Sequence, residues 1–249
     1  MIQLVLTIIL LLVLAFLPPL IYLRWIRNTE RYGKEPWSRL MVTFFWGAIM
    51  AIAIAVILQV FILFFYGLSL EREYEWLKDG SIRMLVMVCI IAPFTEEFAK
   101  GIGVFSAKRH INEVEDGLVY GAGCGLGFAA TENLLYEGNA FLSIGEKGLM
   151  VFLMFVIIRS ISSVFLHASA TSATGYGISK SLVLGRKFYI IPYFLLAVLM
   201  HSVYNFFASF GVLYAESLGN AAYLIGLVVA IAFAMGSIGV TRRKIRKLD

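Results

Sequence analysis

Runs of about twenty apolar residues alternate with short charged stretches along the whole chain, and each run is long enough as a helix to cross the roughly 30 Å hydrocarbon core of a bilayer. The pattern predicts seven helices, at about residues 2–23, 40–66, 82–107, 116–137, 149–178, 188–211 and 220–241. The expected fold is therefore an all-α polytopic bundle forming one integral membrane domain over residues 1–249. The opening Met1–Leu23 segment has no basic stretch before its apolar run and no small-residue cleavage site, so it is expected as a retained helix.

Composition supports the same class. Apolar residues make up 60% of the chain and charged residues 15%, with a mean hydropathy of +0.85, outside the range of soluble domains. The net charge of +5 is explained by topology. Arg24, Arg27, Arg31, Lys34, Arg39, Lys108, Arg109, Lys180, Arg186, Lys187, Arg242, Arg243, Lys244, Arg246 and Lys247 all fall on one side of the expected bundle. Only Arg72, Lys78, Arg83 and Lys147 fall on the other, which predicts an outer amino terminus and a cytoplasmic carboxy terminus. Basic residues scattered over short loops do not form a nucleic-acid surface. Cys89 and Cys124 sit inside apolar runs without CxxC spacing, which argues against both a disulfide framework and a thiolate zinc site.

Against this background the ionisable residues inside the spans stand out, because a charge at a helix centre costs about 2.5–3.5 kcal/mol on insertion scales. They are Glu96, Glu97 and Lys100 in the third span, Glu132 beside Asn133 in the fourth, Arg159 and His167 in the fifth, and His201 with Asn205 in the sixth. Counting about 1.5 Å per residue from the basic ends places Glu96 and Glu97 at roughly 15 Å, His167 at roughly 16 Å, His201 at roughly 20 Å, Glu132 at roughly 24 Å and Asn205 at roughly 26 Å. Four helices thus contribute to one layer, as a single internal site requires.

Local spacing adds detail. Glu96 and Lys100 are one turn apart in the favourable acid-first order, with Glu97 pointing about 100° around. Arg159, Ser163, His167 and Thr171 recur every four residues as a stripe that must face protein. His201 and Asn205 are neighbours on one face and can aim an imidazole and an amide at one oxygen. Gly117, Gly121 and Gly125, with Gly123 and Gly127, form small-residue rows that make the fourth helix central; they do not meet the GxGxxG spacing of a dinucleotide site. Glu132 is open to three roles: acid or base, ion-pair partner of Arg159, or metal ligand.

Taken in order, Thr95-Glu96-Glu97-Phe98-Ala99-Lys100, Asp116-Gly117-Leu118-Val119-Tyr120-Gly121, Gly127-Phe128-Ala129-Ala130-Thr131-Glu132-Asn133, His167 and His201-Ser202-Val203-Tyr204-Asn205 resemble the PrsW family of intramembrane proteases. That family is a branch of the group containing the type II CAAX prenyl proteases and the gamma-secretase scaffold subunit. The resemblance covers residues 90–210 and implies peptide-bond hydrolysis in or beside the bilayer of the cell membrane, with the catalytic helices at about 82–211. It implies that Glu96 or Glu97 activates water with His167, His201 and Asn205 assisting, on a single-pass substrate such as a membrane-anchored anti-sigma factor. The prenyl-protease relatives carry a histidine where this chain has Glu132, which argues against a CAAX substrate.

Two versions of the chemistry remain. A glutamate-type site without a metal is preferred, because HExxH and a close histidine pair are absent from the sequence. A zinc-dependent version would use Glu97, Glu132, His167 and His201, with Lys100, Asn133 and Arg159 supporting either site. A non-catalytic scaffold is the alternative from another class, and a proton-relay transporter is a weaker one, since no inverted repeat is evident.

Overall fold

In the computed structural model, which describes residues 2–143 and 148–249, the chain forms helices joined by short turns, with no strand among the described residues. Lys147, counted above on the outer side, and Met1 lie outside them. Helix α1 is Ile2–Arg27, α2 is Trp37–Glu73, α3 covers 80–106 and α4 is Asp116–Ser143. Helix α5 is Gly148–Val183 with a one-residue interruption at Ser162, α6 is Lys187–Leu218 and α7 is Asn220–Leu248. Each expected span is present as a helix, with ends that differ from the expected ones by one to several residues. Five of them, α1, α2, α5, α6 and α7, are long and apolar enough to cross a membrane. The other two, α3 and α4, are less apolar because they carry the carboxylates, the lysine and the glycine rows.

The chain reverses tightly between α6 and α7 at Gly219, whose φ of +58° is open to glycine at little cost. The shape of α3 also follows from its sequence. Pro93 has no N–H and its ring crowds the carbonyl one turn back, and α3 winds as π-helix over Met87–Ile91 just ahead of it. The Asn205 side chain on α6 donates to the Val88 carbonyl within that π segment at 2.8 Å. This fixes where the next two turns of α3, carrying Glu96 and Glu97, meet α6.

Helix α4 lies at the centre, packed on α5, α1 and α2. A methyl on Gly125 would overlap the His167 carbonyl of α5, and one on Gly127 would overlap the Phe44 carbonyl of α2. Glycine at these positions lets three backbones approach within side-chain distance of one another, bringing His167 close to α4.

At the end that carries the basic loops, Glu30 and Glu35 are buried with Asp116. The Glu35 N–H donates to Glu30 Oε2 at 3.0 Å, and the Tyr120 hydroxyl donates to Glu35 Oε2. Burial pushes the Glu30 carboxyl up to about 8, helped by the negative charges of Glu35 and Asp116. Burial likewise raises Glu35 to about 7, with the Tyr120 hydrogen bond opposing the shift and Asp116 adding to it. Both groups bind a proton more tightly folded than unfolded, where the reference is 4.5. Their contribution is therefore full below the unfolded value and is lost as pH rises through about 7 and then about 8. Melting temperature in detergent is expected to fall between about pH 5 and about pH 9, and Glu35→Gln to flatten that fall. A melting temperature that rises over the range would contradict the assignment.

A buried carboxylate and histidine site

Glu97 on α3 is met by side chains of α5 and α6. Its side chain is fully enclosed and both oxygens are engaged: Oε1 accepts from Lys100 Nζ at 2.5 Å and lies 3.1 Å from His201 Nδ1, and Oε2 accepts from Thr171 Oγ1 at 3.1 Å. The close partner of Lys100 is thus Glu97, three residues away; Glu96, expected from its one-turn spacing, stands 3.9 Å off. The α3 backbone sends Glu96 to a different surrounding. Its Oε1 accepts from Gln59 Nε2 of α2 at 3.4 Å, while its Oε2 is buried without a hydrogen-bond partner, 3.8 Å from His201 Nε2.

The partners determine the imidazole tautomers. An ammonium only donates, so the 3.0 Å contact between Lys100 Nζ and His167 Nδ1 places a lone pair on Nδ1 and the hydrogen on Nε2. That hydrogen is donated to Glu132 Oε2 at 3.1 Å. For His201 the carboxylate at Nδ1 calls for the hydrogen there, leaving the Nε2 lone pair facing Glu96 Oε2. Two acceptors pointed at one another across 3.8 Å require a proton, a water or a cation between them.

The α5 stripe is brought onto this network as its spacing suggested. Arg159 donates to Glu132 Oε2 at 2.7 Å and to Asn133 Oδ1 at 2.9 Å, Ser163 donates to Glu132 at 3.2 Å, His167 links Glu132 to Lys100, and Thr171 reaches Glu97. Glu132 therefore pairs with Arg159 and contacts His167 through the same oxygen. Asn205 makes no hydrogen bond to the carboxylates among the described residues and spends one amide hydrogen on Val88. Gln59 escaped the sequence reading, although a lone amide inside the apolar run Ile52–Phe65 is the same kind of signal as the lone histidines.

Formal charge is nearly balanced. Glu96, Glu97 and Glu132 face Lys100 and Arg159, so with both imidazoles neutral one proton closes the account. The donor chemistry also fits a divalent ion. Glu96, His167 and His201 each offer a ligand atom, all within 4.8 Å of one another, and Glu96 Oε2 and His201 Nε2 are free to take it. Glu97 on the Nδ1 hydrogen of His201 is the outer-shell partner that metal-bound imidazoles usually have. His167 would have to release Lys100 or Glu132 to join. This set differs from the zinc set expected from sequence in two ways: Glu96 stands in place of Glu97, both of whose oxygens are hydrogen-bonded, and Glu132, which holds Arg159, Ser163 and His167 on one oxygen, is not part of it.

Residues 35–235 match the family described as PrsW family intramembrane metalloprotease. Among curated relatives, Protease PrsW of Clostridioides difficile is 28% identical over 204 residues, covering 78% of this chain and 76% of the relative. Protease PrsW of Geobacillus kaustophilus is 28% identical over 182 residues, covering 71% and 69% respectively. No solved structure matches the chain.

Proposed function

The chain belongs to the PrsW family of intramembrane proteases, multi-pass proteins of the cell membrane, and on that premise we propose that it cuts a single-pass membrane protein with Glu96 as the base. The observation that carries the reading is the contrast between two adjacent carboxylates. Both oxygens of Glu97 are held by hydrogen bonds from Lys100, His201 and Thr171, whereas Glu96 keeps a buried Oε2 with no hydrogen-bond partner among the described residues, beside the Nε2 of His201.

In this reading the attacking water sits between Glu96 Oε2 and His201 Nε2. Glu96 accepts its proton as oxygen attacks the peptide carbonyl, and returns it to the amine nitrogen as the C–N bond breaks. Glu97 and Lys100 are positioning residues: Glu97 fixes the His201 tautomer, and Lys100 fixes that of His167. The second amide hydrogen of Asn205, left after Val88, is the donor for the developing oxyanion. An anti-sigma factor cut on its outer side is the substrate class to which the resemblance points, and the orientation with the basic loops in the cytoplasm supports it.

A second reading has its own support in the family description and in the convergence of Glu96, His167 and His201. A divalent ion held there would polarise the scissile carbonyl and acidify water. The metal-free reading is preferred because the buried Lys100 already brings a positive charge within 3.9 Å of Glu96 Oε2 and 3.0 Å of His167 Nδ1. Cleavage of a co-reconstituted single-pass substrate in proteoliposomes is expected to persist in excess chelator. Loss of cleavage restored by added zinc would establish the metal reading in its place.

A further inference from the structure

Glu137 of α4 plays no part in the chemistry above, yet its side chain is 0% exposed and neither carboxyl oxygen has a hydrogen-bond partner among the described residues. Two further buried polar atoms without partners lie along the same helix pair, Nδ2 of Asn133 one turn inward on α4 and Oγ of Ser160 on α5. The register between these helices is fixed at two levels. Phe141 meets Phe152 with ring centroids 5.6 Å apart, and Arg159 bonds Asn133 at 2.9 Å. Asn133, Glu137 and Phe141 follow at one-turn intervals on α4, and the buried residues of the first part of α5 are Phe152, Val156 and Ser160. The Glu137 carboxyl therefore lies in the α4–α5 seam, between the phenylalanine pair and the Arg159–Glu132 pair.

Leaving a buried polar group unsatisfied costs about 1–3 kcal/mol, and more for a carboxylate. Four such atoms in one seam point to occupants that both donate and accept. Water meets that need where two to four polar partners surround it. The location matches a supply route. Along α4, Glu137 is about 21 residues from Asp116, roughly 32 Å, at the outer edge of the hydrocarbon core, while Glu132 lies roughly 8 Å deeper. Each peptide bond hydrolysed consumes one water.

We infer that Glu137, Asn133 and Ser160 line a water-filled inlet along the α4–α5 seam that feeds the Glu132–His167 side of the site from the end opposite the basic loops. Glu137 is a positioning residue for this water. The functional half of the inference rests on the proposed hydrolytic site; the presence of water does not. Arg159 is the charged group that faces the seam from α5.

The test joins hydroxyl-radical footprinting to cleavage kinetics in proteoliposomes. Phe152 is 2% exposed, so radiolytic oxidation of its ring reports internal water. Wild type and Glu137→Gln, which keeps two polar atoms, are expected to oxidise at Phe152 and to cleave at similar rates. Glu137→Leu is expected to lose the Phe152 signal and about tenfold or more in kcat at unchanged KM. Val156→Phe, which plugs the seam without touching its polar atoms, is expected to do the same if Glu137→Leu fails to fold. No oxidation of Phe152 in wild type, or an unchanged kcat in a folded variant that has lost the signal, overturns the inference. Oxidation without cleavage in wild type would retain the water and refute the hydrolytic reading.

Discussion

Glu96→Gln is expected to lower kcat by about 10²–10⁴-fold, the range general-base catalysis contributes, while KM and the melting temperature stay close to wild type. Glutamine has the shape of glutamate and keeps an acceptor for Gln59, so the α2–α3 contact survives. What it lacks is an oxygen able to take a proton, and Glu96 Oε2 is the carboxylate oxygen of the Glu96–Glu97 pair that has no hydrogen-bond partner among the described residues. Glu97→Gln is expected to differ in kind. It disturbs the Lys100 and His201 contacts together, so activity and stability should fall in parallel. Single-turnover cleavage beside thermal melts separates the two, and a folded, fully active Glu96→Gln would refute its role as base.

Lys100→Met is expected to destabilise the fold by about 3–5 kcal/mol, the cost of leaving a buried charge without its counterion. The Lys100 ammonium is completely enclosed, 2.5 Å from Glu97, 3.0 Å from His167 Nδ1 and 4.3 Å from the Phe128 ring centroid. Removing it strands the Glu97 charge and deprives His167 of the donor that sets its tautomer. The double variant Lys100→Met with Glu97→Gln should recover much of the loss, because an uncharged amide needs no counterion. Reversible unfolding in mixed micelles measures both. A single-variant loss below about 1 kcal/mol would mean that Glu97 carries no charge in the folded protein.

The bundle was legible because apolar runs and charged loops are local properties of the chain. The α5 stripe was legible for a related reason: Arg159, Ser163, His167 and Thr171 have no acceptable lipid-facing alternative. Contacts between helices were not legible. Whether Lys100 turns to Glu96 or Glu97 depends on where α5 brings His167 and Thr171, and whether Asn205 faces the carboxylates depends on the π segment that precedes Pro93. The expected fourth span stops at about residue 137, whereas α4 continues to Ser143 and the Glu137 side chain is buried. The Glu30, Glu35 and Asp116 cluster escaped notice because its members sit in or beside loops, where acidic residues are ordinarily solvated.

The most direct test of the central claim is single-turnover cleavage of a single-pass substrate by chelator-treated wild type and chelator-treated Glu96→Gln in the same proteoliposomes, with both products mapped by mass spectrometry. The account predicts one cut within or beside the lipid-embedded segment by wild type and none by the folded variant. Equal cutting by the two proteins, or none by chelator-treated wild type until zinc is returned, would contradict it.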